Sequence, residues 1–310
     1  MLTAIIPTHY SPAIARIGHA LAQHAPPSVS VVARPAPIRK DQRVPALMAN
    51  EADGDLVVIY VNGMHDRLCA LAERCLARGQ RYAIVQIALR TTRHPLTQTW
   101  RDMWRKAVVV WSYYPLATWI QEDLGSPVDF NFYHAPLGVD ASVFTMPPNG
   151  HHRDILVCTS SAQRNQESAA ECDEAAVSVD GRIFQLGPHL DKMKSQVSYA
   201  QGISDAELAG WYRDCQWVSG LRRHEGFELP AAEGLLCGAR PLLYSREHYL
   251  CWYKPWGDFV QEEAHDRVVE QLRVLFAKGP RPVTAEDREA AVRRFDWSRI
   301  IKGFWERCET

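Results

Sequence analysis

Short apolar runs alternate with amphipathic stretches through most of the chain. Leu2–Ile6, Val29–Ala33, Asp55–Val61, Tyr82–Ala88, Val108–Trp111 and Phe130–Tyr133 read as strands. Ala13–Gln23 and His65–Arg78 read as helices, and Gly79 follows the second as a C-cap. Arg34–Pro45 holds three prolines and reads as a loop. A second series opens at Asp154, with strands predicted at Ile155–Cys158, Arg182–Gln185, Trp217–Gly220 and Arg240–Tyr244. Ser204-Asp205-Ala206-Glu207 is a capping box that opens a helix to about Asp214. Leu229–Cys237 is a helix with Pro230 near its first position and Gly238 past its last. Further helices are predicted over His265–Ala277, Ala285–Arg294 and Ser298–Cys308.

Strands that alternate with helices predict parallel βαβ units. Two such series, joined by the turn-rich segment Thr145–His152, predict an α/β fold of two Rossmann-like domains facing a central cleft. Sheets of this kind bind ligands at the carboxyl ends of their strands.

Composition narrows the class. The 310 residues are 46% hydrophobic and 23% charged, an ordinary globular balance that excludes disordered, collagenous and coiled-coil chains. The formal net charge is −1, so no overall positive field marks a general nucleic-acid binder. The first 150 residues carry 14 basic and 11 acidic side chains, the remainder 21 and 25, a mild asymmetry. No apolar run is long enough to span a bilayer, and Leu2–Ile6 lacks the flanks of a signal peptide. The eight cysteines are scattered without zinc spacing, as expected of reduced thiols in the cytoplasm.

The chemistry concentrates between Glu225 and Pro241. Gly226 permits a tight turn after the Trp217–Gly220 strand, and Pro230 starts a helix. The free N–H groups at such a helix start make an anion site suited to a diphosphate. Glu225 precedes the turn, and Glu233 is expected in the first helical turn, so two acceptor-only carboxylates flank one phosphate-binding helix end. Carboxylates there suit paired ribose or sugar hydroxyls.

Glu225, Gly226, Phe227, Leu229, Pro230, Glu233, Cys237, Gly238 and Pro241 fall in order and without gaps on an E-G-F-G-L-P…E…C-G-x-P pattern. This run resembles the retaining, family 4 type glycosyltransferases of the GT-B fold, with their E-x7-E motif. Ile203–Leu208 with Trp211-Tyr212, Leu137–Asp140 with Phe144, and Phe295-Asp296-Trp297 match the same family more weakly. The resemblance covers about residue 130 to the end. It implies an acceptor-side domain over 1–145, a nucleotide-sugar-binding domain over 146–294, and a final helix, 295–310, packing back on the first domain.

Carried over residue by residue, the resemblance implies that Glu233 binds ribose hydroxyls and Glu225 contacts the donor sugar. Gly226, Phe227, Glu228 and Leu229 would line the sugar and phosphate site. Glu228 stands where the family has a second glycine, which implies an altered sugar pocket. Arg164 is the expected diphosphate partner, and its planar fork suits phosphate oxygens. A second basic residue is missing at its usual spacing, leaving Lys192, Lys194, Arg222 and Arg223 as candidates. The implied reaction is sugar transfer with retention at the anomeric carbon, the leaving diphosphate stabilised electrostatically. Fixed positive groups can replace a metal, so no metal and no cofactor beyond the nucleotide-sugar co-substrate is expected.

His94 is a catalytic candidate on the sugar side. His9, Tyr10, Ser11, Arg90 and Arg93 are acceptor-side candidates. The expected acceptor is a saccharide, a lipid-linked or a small molecule. The basic segment Arg90–Lys106 keeps open the same transfer to a hydroxylated base in DNA, which requires base flipping; the missing second basic residue and Glu228 keep open a non-catalytic nucleotide-sugar-binding protein of the same fold. Trp100 and Trp104, four apart, read as core packing.

Overall fold

The structure, a computed structural model, describes residues 1–8, 12–35, 54–62, 65–88, 98–147, 153–160, 168–187, 193–223 and 226–309. The chain divides into two compact units, Met1–Leu137 with Trp297–Thr310, and Gly138–Asp296.

The first unit begins with β1 (Leu2–Thr8), α1 (Pro12–Gln23), β2 (Val29–Pro35), β3 (Leu56–Asn62) and α2 (His65–Ala77). It continues with β4 (Arg81–Ala88), α3 (Gln98–Lys106), β5 (Val110–Ser112), α4 (Leu116–Leu124) and β6 (Phe132–His134). Its six strands run in the order β2-β1-β3-β4-β5-β6, and every pairing is parallel. The central β3 is apolar along almost its whole length, Leu56, Val58, Ile59 and Val61 being nearly inaccessible. A strand covered on both faces needs this continuous pattern rather than alternation. Trp104 is fully buried and packs on Phe130 at 5.7 Å, in keeping with its reading as core.

The second unit holds β7 (Ile155–Ser160), α5 (Ala169–Val177), β8 (Arg182–Leu186), β9 (Gln196–Ala200), α6 (Asp205–Asp214) and β10 (Cys215–Gly220). There follow α7 (Leu229–Leu236), β11 (Arg240–Tyr244), α8 (Glu247–Tyr253), β12 (Asp258–Val260), α9 (His265–Lys278) and α10 (Ala285–Phe295). The six strands again pair in parallel, in the order β12-β11-β10-β7-β8-β9. Chain order therefore reverses between β7 and β10, the doubly wound arrangement whose crevice takes a ligand. The predicted capping box is formed: Ser204 Oγ accepts from the Glu207 N–H, and Glu207 accepts from the Ser204 N–H at 2.8 Å.

The last helix, α11 (Trp297–Glu309), belongs to the first unit. Trp305 Nε1 donates to the Leu21 carbonyl at 3.1 Å, Tyr133 Oη donates to the Ile300 carbonyl at 2.9 Å, and Phe304 lies against Trp111. The passage between units falls at Leu137/Gly138, upstream of the expected 145/146 boundary. The reason is local packing: the Val139 N–H donates to the Phe295 carbonyl at 2.6 Å, and the Phe144 ring is buried against Tyr212. The return likewise falls at Asp296/Trp297 instead of 294/295. Most of the expected Arg34–Pro45 loop and the core of the Thr145–His152 segment lie outside the described residues.

Helix α7 ends as the sequence predicts. Gly238 takes φ +90°, and a Cβ there would meet Arg153 Nη2 at 2.4 Å. That guanidinium ties the end of α7 to the end of α6 by donating to the carbonyls of Cys237, Arg213 and Cys215. A side chain at 238 would need both an unfavourable φ and the space this cation fills.

Candidate functional site

The carboxyl ends of β7 and β10 meet at the reversal point of the second sheet. β10 stops at Gly220, and Arg222 follows with its Nη2 donating to Ser160 Oγ, the last residue of β7. The guanidinium thus spans the two strands between which chain order reverses. Its Nη1 lies 3.3 Å from Glu228 Oε2, a carboxylate whose side chain has no exposed surface. Tyr249 Oη donates to Glu228 Oε1 at 3.0 Å, and Tyr253 Oη donates to the Glu228 carbonyl at 2.7 Å. Burial pushes the Tyr253 phenol well above its ordinary value, with the Glu228 charge adding to the effect, so it remains a donor.

Gly220 explains how Glu228 fits. A Cβ at 220 would stand 2.6 Å from Glu228 Cγ and 2.6 Å from Leu243 Cδ2. Gly220→Ala is therefore expected to push Glu228 off Arg222 and to destabilise the second unit by about 1–3 kcal/mol through overpacking. A denaturant titration checks it; an unchanged midpoint would mean the carboxylate is not wedged as described.

Glu228 is the N-cap of α7, with no side-chain cap hydrogen bond, and Pro230 occupies the first turn. The first turn carries no acid, which corrects the expectation for Glu233: it lies one turn further in. The helix starts at Leu229 as the sequence reads it, and Glu233, its fifth residue, falls just past the first turn. Glu233 is 3% exposed, and Tyr212 Oη donates to its Oε2 at 3.4 Å. Burial first, then the Glu233 charge, raises the Tyr212 phenol well above its ordinary value. The Phe227 ring joins an aromatic cluster with Tyr253 at 5.6 Å and Phe295 at 6.0 Å. Leu229 and Gly226 are buried beside it.

The other cations are held elsewhere. Arg223 reaches Glu171 at 3.4 Å and Glu262 at 3.5 Å, and lies over the Tyr244 ring. Burial pushes the Tyr244 phenol up to about 12, and it shares a hydrogen bond with Ser168, the N-cap of α5. Lys194, 66% exposed, lies 3.9 Å from Glu174. Glu225, Arg164, His94, His9, Tyr10, Ser11, Arg90, Arg93 and Lys192 lie outside the described residues. Sequence reasoning missed Tyr249 and Tyr253. Their signal was there, two tyrosines at helical spacing in a run with no predicted element.

The basic segment of the first unit is partly neutralised. Arg101 meets Asp129 at 3.0 Å, and Arg105 meets Asp129 and Asp102. Hydrogen bonds from Arg105 and then Arg101 lower Asp129 from 3.8 to about 2. Its contribution is present above pH 3.8 and lost as pH falls toward about 2. Acid titration of wild type should therefore show a loss of stability in that window that Asp129→Asn lacks; coincident curves would overturn the pairing.

No protein-family model matches the chain, and no curated protein matches it by sequence. Solved structures do match in fold. A sucrose-phosphate synthase from Thermosynechococcus elongatus superposes with a TM-score of 0.70 at 11% identity, over 99% of this chain and 98% of that one. A glycosyltransferase from Rickettsia africae gives 0.69 at 9% identity, over 98% and 96%. AviGT4, a glycosyltransferase involved in avilamycin A biosynthesis, gives 0.63 at 13% identity, over 99% and 96%. The architecture is that of GT-B glycosyltransferases, two Rossmann-like α/β units, each on a six-stranded parallel sheet.

Proposed function

We propose that the protein is a nucleotide-sugar-dependent glycosyltransferase that retains anomeric configuration. The observation that carries this reading is the site at the sheet's reversal point: the start of α7, an arginine spanning β7 and β10, and a carboxylate on α7, within a GT-B architecture. Fold alone does not set activity; the residues at this site, together with the motif from Glu225 to Pro241, supply the functional argument.

In this reading Glu233 takes the ribose hydroxyls, and the diphosphate lies at the start of α7 where free N–H groups and the helix dipole favour negative charge. Glu225 contacts the donor sugar, Arg164 stabilises the leaving diphosphate, and His94 lies toward the sugar. Gly226, Phe227 and Leu229 contribute backbone. The bond from the anomeric carbon to the phosphate oxygen breaks. The acceptor oxygen bonds on the same face, and its proton leaves to the departing phosphate. Fixed positive groups do the work of a metal, so the reaction proceeds without one. His9, Tyr10, Ser11, Arg90 and Arg93 serve the acceptor, a saccharide, lipid-linked or small molecule. This reading places the protein in the cytoplasm, where its scattered cysteines stay reduced.

A thermal-shift panel of UDP-, GDP- and ADP-sugars, with and without EDTA, tests this. A ligand held only by the folded state, at 100 times its Kd, adds about 2.7 kcal/mol. One nucleotide family should raise the Tm, unaffected by EDTA, and be consumed with an acceptor. No shift and no turnover across the panel would overturn the proposal.

A further inference from the structure

The sequence leaves several cations as candidates for a second phosphate contact, and their geometries separate them. Lys194 extends into solvent, and Arg223 is shared between Glu171 and Glu262. Arg222 alone of these three lies across the ends of β7 and β10, its side chain 16% exposed. Behind it stands Glu228, fixed on three sides: by Tyr249 at its carboxylate, by Tyr253 at its carbonyl, and by the missing Cβ of Gly220 at its Cγ.

We propose that Arg222 is the group this crevice presents to a diphosphate, and that Glu228 is a positioning residue acting through Arg222. The identity of the diphosphate as part of a nucleotide-sugar rests on the function proposed above; the anion site itself does not.

The physical argument starts from what a buried ion pair supplies. Desolvation of two charges largely offsets their attraction, so the pair adds little net stability. What it supplies is orientation. An arginine has many rotamers, and one anchored by a buried carboxylate and a serine hydroxyl loses few of them on binding an anion. Its planar fork is then fixed before the phosphate arrives, which is the condition for stabilising charge as it develops on a leaving group. The carboxylate also draws on the same positive charge, so it weakens ground-state anion binding while holding the geometry that turnover needs. Glu228 therefore lowers affinity and raises rate, a combination that a purely structural buried carboxylate does not produce.

The test is a double-mutant cycle read by calorimetry with inorganic pyrophosphate and by donor-sugar turnover, on Glu228→Gln, Arg222→Gln and the double variant. Glutamine at 228 keeps the shape and an acceptor for Tyr249. Arg222→Gln leaves a buried carboxylate opposite an amide and is the variant most exposed to misfolding. The double variant carries a neutral pair and serves in its place, each variant being checked by its melting transition. Glu228→Gln should bind pyrophosphate roughly tenfold more tightly, because the Arg222 charge is no longer shared with a carboxylate, while kcat falls at least about tenfold. The double variant should bind pyrophosphate at least about tenfold more weakly than wild type, matching Arg222→Gln where that folds, because Glu228 acts only through Arg222.

Wild-type affinity for pyrophosphate in the double variant would overturn the assignment, as would an equal effect of Glu228→Gln with and without Arg222. So would a Glu228→Gln variant whose kcat and affinity both equal those of wild type. If pyrophosphate binds through Arg222 but UDP, GDP and ADP do not bind, the glycosyltransferase reading fails and this assignment stands. If a nucleoside diphosphate binds equally well to wild type and double variant, the assignment fails and the reading stands.

Discussion

Glu233→Gln is expected to weaken nucleoside diphosphate binding on the order of 100-fold while leaving the fold intact. On the proposed reading the Glu233 carboxylate accepts two ribose hydroxyls. Hydrogen bonds to a charged acceptor contribute about 1.5–3 kcal/mol each, against about 0.5–1.5 for neutral ones. Glutamine loses the charge and one acceptor oxygen, and turns donors toward hydroxyl groups. The summed loss is about 3 kcal/mol, hence the factor of 100. The fold should survive because the remaining amide oxygen can still accept from Tyr212, whose hydroxyl lies 3.4 Å from the carboxylate. Calorimetry with the nucleotide identified in the panel, beside a melting curve, checks both halves. Unchanged affinity in a folded variant would remove Glu233 from the donor site.

Trp217→Ala is expected to cost the second unit about 3–5 kcal/mol. Trp217 lies on β10, paired to β7 on one side and β11 on the other, and its ring is fully buried. It packs on Phe276 at 5.3 Å, and its Nε1 donates to Asp258 Oδ2 at 2.8 Å. Alanine leaves a cavity that the paired strands cannot close. Such a loss is a large part of a typical stability of about 5–15 kcal/mol. Trp217→Phe separates the contributions. It keeps most of the packing and gives up the indole hydrogen bond, and Asp258 retains Arg240 at 3.6 Å. Denaturant titrations should rank wild type, Phe, then Ala. A loss below about 1 kcal/mol for alanine would contradict the burial.

These two outcomes depend on features of different legibility. Trp217 falls in an apolar run that reads directly as a strand, and the Leu229–Leu236 helix is announced by Pro230 and Gly238. Strands such as β3 were legible because burial on both faces demands continuous apolar sequence. β9, Gln196–Ala200, was not: it is an edge strand, half-buried, and its polar residues match no burial pattern. β12 and the Glu247–Tyr253 helix were missed because elements of three and seven residues are too short for periodicity to emerge. The start of α7 at Leu229 was legible, yet Glu233, the fifth residue of the helix, falls past the first turn in which the sequence reading put it.

Local chemistry settled a good deal by itself. Alternating apolar and amphipathic runs required two parallel α/β sheets, and a proline and a glycine bounded the helix that carries Glu233. Which partner each charged side chain takes was decided only by the folded chain. Arg222, Arg223 and Lys194 are similar cations in a linear reading. Their fates diverge because β7 and β10, far apart in sequence, become neighbours at the point where the strand order turns back. Pairing of that kind depends on distances set by the sheet, and residue spacing along the chain does not contain them.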